Sequence, residues 1–182
     1  STITTSGRGF NVSAASIPTP MSVPPPPPIA TSRAERAMFV QTDVSSEESV
    51  QHAVARVVSR FGAIHVCING AALPAAFKVL GKEGKAAPLA RFAQTTAVNL
   101  NGVFNVMSKC AEQMARNEPE AGEERGVVIN VSSGAASNAM PAMSSYCVAK
   151  AGLEAATRYA ARDLGLHAAQ HERPDALAQP SR

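Results

Sequence analysis

The run Val127-Val128-Ile129-Asn130-Val131-Ser132-Ser133, "VVINVSS", decides how the rest of the chain is read. Four of its first five residues are β-branched, which suits a packed, pleated strand. Its almost continuous apolar character predicts a strand covered on both faces, as in a parallel sheet. On its C-terminal side, after a loop of small residues, Ser145 to Leu164 reads as a helix ended by Gly165. On its N-terminal side lie a polar turn, "NEPEAGEERG" (Asn117 to Gly126), and a long helical stretch from about Leu89 to Met114.

Further upstream, "AIHVCIN" (Ala63 to Asn69) is a second β-prone run, followed by a loop holding Gly70, Pro74, Gly81, Gly84 and Pro88. "SSEESVQHAVARVVSRFG" reads as a helix. Ser45 and Glu48 have capping-box spacing, Val50, Val54, Val57 and Phe61 mark one face, and Gly62 is a stop. "MFVQTDV" (Met38 to Val44) suits a short buried strand. Three strand–helix units in this order imply an α/β fold, a partial Rossmann-like, doubly wound parallel sheet. The domain spans 37–165, between a Pro/Ser/Thr-rich tail at 1–36 and a polar tail at 166–182.

The 182 residues suit one domain with tails. A net charge of +3 is mild and spread out, and with 4% aromatics and no Trp there is no basic surface with stacking residues, so nucleic acid is not the expected partner. No apolar run reaches membrane-spanning length. Cys67, Cys110 and Cys147 are odd in number and lack metal-ligand spacing, which points to a reducing compartment: the cytoplasm, with the mitochondrion as an alternative. The first acidic residue is Glu35, and Pro24 to Pro28 form a run of five prolines. Proline on that scale argues for a disordered or polyproline tail over a transit peptide. His167 and His171 have i, i+4 spacing but no companion ligand, so no metal is expected.

"SSYCVAK" (Ser144 to Lys150) places Tyr146 and Lys150 on one helix face. A tyrosine ordinarily titrates near about pH 10, and a neighbouring ammonium favours the phenolate. Such a tyrosine can exchange a proton with a hydroxyl or carbonyl. Alone, the spacing is equally that of an ordinary amphipathic surface. Ser133 ends the preceding strand, thirteen positions before Tyr146, and Asn69 ends the strand before it. In α/β sheets ligands sit at the carboxyl ends of strands. Asn99, in "VNLNGVFN", stands mid-helix, where Asn is locally unfavourable. A serine hydrolase built on Ser133 lacks the GxSxG elbow.

"TDV" (Thr42 to Val44), "INGAA" (Ile68 to Ala72), "VNLNGVFN", "VVINVSS" and "YCVAK" together resemble a short-chain dehydrogenase/reductase over Ala37 to Gly165. "VLGKEG" and "ARDLG" are similar to the 3-hydroxyacyl-CoA dehydrogenase type II branch. The resemblance implies an oxidoreductase that uses NAD or NADP to interconvert a secondary alcohol and a ketone. It implies Tyr146 as general acid/base, and Lys150 as the residue that lowers the pKa of Tyr146 and binds the nicotinamide ribose. It further implies Ser133 on the reacting oxygen and Asn99 in a water-linked proton relay. Asp43 and Val44 would line the adenine, with Asn69 and Ala71 along the cofactor. The helices through Asn99 and Tyr146 would pair subunits, in a homo-oligomer or with a full-length relative.

The family's glycine-rich turn, which brings a pyrophosphate to a helix N-terminus, has no counterpart before Met38; Gly7 and Gly9 in "TSGRGFN" are read as chance. The second strand and the strands after the Tyr146 helix are likewise missing. A chain truncated at both ends is the expectation, with the Ala63 strand left at an open edge and cofactor binding weak. The alternative is a non-catalytic interaction subunit.

Overall fold

The computed structural model describes residues 2–4, 13–14, 37–119 and 124–172, with side chains over 37–119 and 124–165. The proline run lies outside the described residues. The sheet has four strands, β1 (Thr2–Thr4), β2 (Ser13–Ala14), β3 (Val66–Asn69) and β4 (Val127–Val131), in the order β1-β4-β3-β2. β3 and β4 are parallel, with Cys67 opposite Val128 and Asn69 opposite Asn130. β2 pairs parallel with β3, so the edge expected to stand open is met over two residues, and β1 pairs antiparallel with β4.

The helix α1 (Glu47–Phe61) is capped one residue later than the capping-box spacing predicts. Ser46, not Ser45, accepts from the Ser49 amide at 3.2 Å, and Ser49 Oγ accepts from the Asp43 amide at 3.0 Å. Ser45 instead donates from its amide and hydroxyl to Asp43 Oδ1 at 2.9 and 2.7 Å, and so closes the turn before the helix. Gly62 ends α1 as expected, at φ 85° with its amide on Val58 O.

The long helical stretch is observed as α2 (Leu89–Thr96), a π-helical segment Ala97–Gly102, and α3 (Val103–Met114). The last helix, α4 (Ser144–Glu172), runs through Gly165, which therefore does not stop it. Nothing lies within 4 Å of a Cβ placed there, and no left-handed φ marks the position. His167 and His171 fall on its last turns, where side chains are outside the described residues.

Met38 to Val44 is not a strand. A strand exists through a ladder with a neighbour, and among the described residues none pairs with this segment. Its carbonyls are met by side chains instead: Val40 O by Thr42 Oγ1 at 3.1 Å and Val44 O by Asn105 Nδ2 at 3.0 Å. Val44 is buried and joins the core with Val50, Val54, Ile64, Val106 and Met114.

Among the described residues, one face of the β3–β4 pair is covered. Cys67, Asn69, Val128 and Asn130 are buried under α3 and α4, whereas Val66 is 53% exposed and Ile68 42%. Successive residues of a strand face opposite sides, so the alternation in β3 separates a covered face from an open one.

Candidate active site

Tyr146, Lys150, Leu153 and Thr157 recur along one stripe of α4 at helical spacing. Lys150, Leu153 and Thr157 are buried. Lys150 Nζ donates to Val131 O at 2.6 Å and lies 5.8 Å from the centre of the Tyr146 ring. Burial disfavours the charged amine and lowers the Lys150 pKa below its ordinary value. An ammonium has three donors, so the bond to Val131 leaves two for other partners.

Ser133 follows the end of β4 and caps the 3₁₀ turn Gly134–Ala136, against which α4 packs. Its Oγ accepts from the Ala135 amide at 3.2 Å. Because that contact uses the oxygen as acceptor, the hydroxyl proton remains to donate. Beside Tyr146, Ser145 Oγ is fully buried and makes no hydrogen bond among the described residues.

Asn99 is fully buried within the π-helical segment. Its side chain grips one residue at both ends: Oδ1 accepts from the Leu73 amide at 2.6 Å and Nδ2 donates to Leu73 O at 2.9 Å. Both polar ends are thus occupied in holding the loop that leaves β3. The same loop is tied to the approach to α4, where the Phe77 amide donates to Ala142 O at 2.7 Å. Ala142 holds a left-handed φ of 62°, a conformation that costs an L-residue roughly 1–2 kcal/mol.

The side chains of the four residues expected along a cofactor serve the turn before α1, the core and the sheet. Asp43 is exposed and its Oδ1 serves the turn before α1. Val44 is buried against α3, and Ala71 packs half-buried on the core. Asn69 is turned inward, donating to Asn130 Oδ1 at 2.9 Å, and Asn130 in turn donates to Thr157 Oγ1 at 2.9 Å. Asn69 therefore braces the two strands. Cys67, beneath it, has its thiol pushed up by a hydrogen bond with Cys110 and by burial, which makes it a poor nucleophile. Asn130, Ser132, Glu154 and Thr157 were not singled out from the sequence. Asn130 had a readable signal, as the lone amide in an otherwise apolar strand.

The family profile described as enoyl-(acyl carrier protein) reductase matches residues 6–170, a range that takes in Gly7 and Gly9. The chain belongs to the short-chain dehydrogenase/reductase family. It is 38% identical to the 3-hydroxyacyl-CoA dehydrogenase type-2 of Homo sapiens over 128 residues, covering 70% of this chain and 49% of that protein. Among solved structures, it is similar to a 3-hydroxyacyl-CoA dehydrogenase type-2 from Mycobacterium avium, with 32% identity, a TM-score of 0.67 and coverage of 71% of this chain and 51% of that one. An NAD+-bound xylitol dehydrogenase is also similar, at 31% identity and a TM-score of 0.57, with coverage of 68% and 44%. The chain spans about half the length of the curated relatives it matches. Membership makes it part of an oxidoreductase enzyme family with a Rossmann-type fold. No described helix is long and apolar enough to cross a membrane.

Proposed function

We propose that this chain carries the proton-handling part of an NAD(P)-dependent dehydrogenase that interconverts a secondary alcohol and a ketone, with 3-hydroxyacyl thioesters as the substrate class. The observation that carries the reading is the buried Lys150 ammonium, one helical turn from Tyr146 and with two donors beyond its bond to Val131. Tyr146 gives its phenolic proton to the substrate oxygen in reduction and takes it back in oxidation. Ser133 donates its free hydroxyl proton to the same oxygen and so orients it. Lys150 holds the ribose of the nicotinamide through its remaining donors, and Asn99 keeps the loop after β3 in place beside them.

The residues fit NAD(P) in part. Lys150 has the donors a ribose needs, whereas Asn69, Val44 and Ala71 have their side chains committed to the core. When bound, NAD(P) supplies the hydride; the side chains here supply orientation and the proton. The free thiols fit a reducing compartment, the cytoplasm or the mitochondrion.

The test is reduction of a 3-oxoacyl-CoA with NADH or NADPH, followed by loss of nicotinamide absorbance. Tyr146→Phe is expected to lower turnover by about 10²–10⁴-fold. Full turnover in that variant would remove Tyr146 from the role. A second reading, a subunit that pairs with its own copy or with a full-length relative, draws support from large apolar side chains exposed on α3 and α4: Phe104, Val148 and Tyr159. A monomer by light scattering, unchanged by Phe104→Glu, would oppose it.

A further inference from the structure

The groups assigned to proton transfer come from two different elements. Ser133 stands past the end of β4, and Tyr146 and Lys150 stand on α4. Apolar packing of the two elements is non-directional, so Leu153 and Ala149 alone do not fix how far α4 is slid or rolled along β4. A slide of one residue moves a helix by about 1.5 Å and turns its side chains by about 100°, which would change where Tyr146 stands relative to Ser133.

Three hydrogen bonds connect β4 and the residue after it to α4. Asn130 Nδ2 donates to Thr157 Oγ1 at 2.9 Å, Ser132 Oγ donates to Glu154 Oε1 at 2.8 Å, and Lys150 Nζ donates to Val131 O at 2.6 Å. Asn130 is in β4 and Ser132 is the first residue past its end, while Thr157 and Glu154 lie three apart on one face of the helix. Thr157 is itself fixed by donating to Leu153 O at 2.7 Å. Ser132 is buried and Glu154 half-buried, so their bond, unlike a surface contact, is directional and shielded from water.

We propose that Ser132 and Glu154 are positioning residues, whose hydrogen bond sets the register of the Tyr146–Lys150 face of α4 against the strand end that carries Ser133. The assignment rests on the reading of Tyr146 as the acid/base group. Ser132 and Glu154 touch neither substrate nor cofactor; they act through Tyr146.

Tyr146 and Tyr159 are the two tyrosines of the chain, and Trp is absent. In a Tyr159→Phe background, ring-labelled protein therefore reports on Tyr146 alone by NMR. Ser132→Ala and Glu154→Leu are expected to move the Tyr146 ring signal by more than its linewidth. Glu154→Gln keeps an Oε1 acceptor and is expected to leave the signal in place. Val50→Ala, a destabilising change in α1, is the control and is expected not to move it. An unmoved signal in Ser132→Ala and Glu154→Leu would overturn the proposal. So would an equal movement in Val50→Ala or in Glu154→Gln. If Ser132→Ala does not fold, the pair of Glu154 variants decides, since that position is half-exposed. Unchanged turnover in Tyr146→Phe would remove the proposed function and leave this comparison of ring signals intact.

Discussion

On one face of the β3–β4 pair, Cys67, Asn69, Val128 and Asn130 are buried against α3 and α4; on the other, Val66, Ile68 and Val131 meet solvent. The covered face holds a continuous polar chain through Asn69, Asn130 and Thr157 within apolar surroundings. The open face holds only aliphatic side chains. Polar groups are held at defined distances where water is excluded, and the candidate site lies at the carboxyl end of that face. The largest expected effect tests this difference directly. Asn130→Leu leaves the Asn69 amide only the weak Cys67 sulfur acceptor at 3.4 Å, and is expected to cost about 3 kcal/mol in urea unfolding. Adding Asn69→Leu removes that amide and is expected to recover part of the loss. A cost below about 0.5 kcal/mol, the range of surface substitutions, would mean that the polar chain does not organise the covered face.

Next in size is Gly102→Ala, at the end of the π-helical segment. A Cβ there would stand 2.7 Å from Val44 Cγ2 and 3.2 Å from Ala97 O. Neither is the far end of a flexible chain, so the helix or the Val44 segment must move, at about 1–3 kcal/mol. Gly165→Ala in α4 has open space and a helical setting, and is expected to gain up to about 1 kcal/mol. Equal effects at the two glycines would contradict the close approach of the π-helical segment to Val44.

A smaller effect, read as a slope with pH, belongs to Lys150. Burial lowers its pKa in the folded chain. Between that lowered value and the unfolded value near about 10.4, the unfolded chain binds more protons than the folded one, so stability rises with pH through this window. Below the window the cost of burying the charge is fully present. Lys150→Met lacks that cost, so its stability advantage over the parent should narrow as pH is raised from 7 towards 10. An advantage independent of pH in urea unfolding would show that Lys150 is not desolvated.

Local signals made much of this legible. β-branched runs marked β4, and an apolar stripe ended by Gly62 marked α1. Asn99 was conspicuous as an amide inside a helix, though not as the centre of a π-helical turn clasping Leu73. What escaped is non-local. Met38 to Val44 has the composition of a strand, yet a strand requires a ladder partner, which composition does not reveal. The apolar run of β4 implied two covered faces, but coverage depends on what packs above it. Ser132 and Glu154 meet across 22 positions, and neither stands out in its own segment.

The smallest expected effect comes from the open face. Ile68→Thr keeps a β-branched side chain at a position 42% exposed, and is expected to cost about 0.5 kcal/mol, as surface changes do. Its neighbour Cys67, 0% exposed, points to the other side of the same strand. Cys67→Ser puts a more polar hydroxyl at a fully buried position, with only the Cys110 thiol and the Asn69 amide near it, and is expected to cost about 1–3 kcal/mol. Two adjacent residues therefore compare the faces with the backbone held constant, by urea unfolding of the single variants. If Ile68→Thr costs as much as Cys67→Ser, Ile68 is buried in solution, and a second copy or chain outside the described residues covers that face. In the first case the cost should fall on dilution, because association stabilises by mass action; in the second it should not.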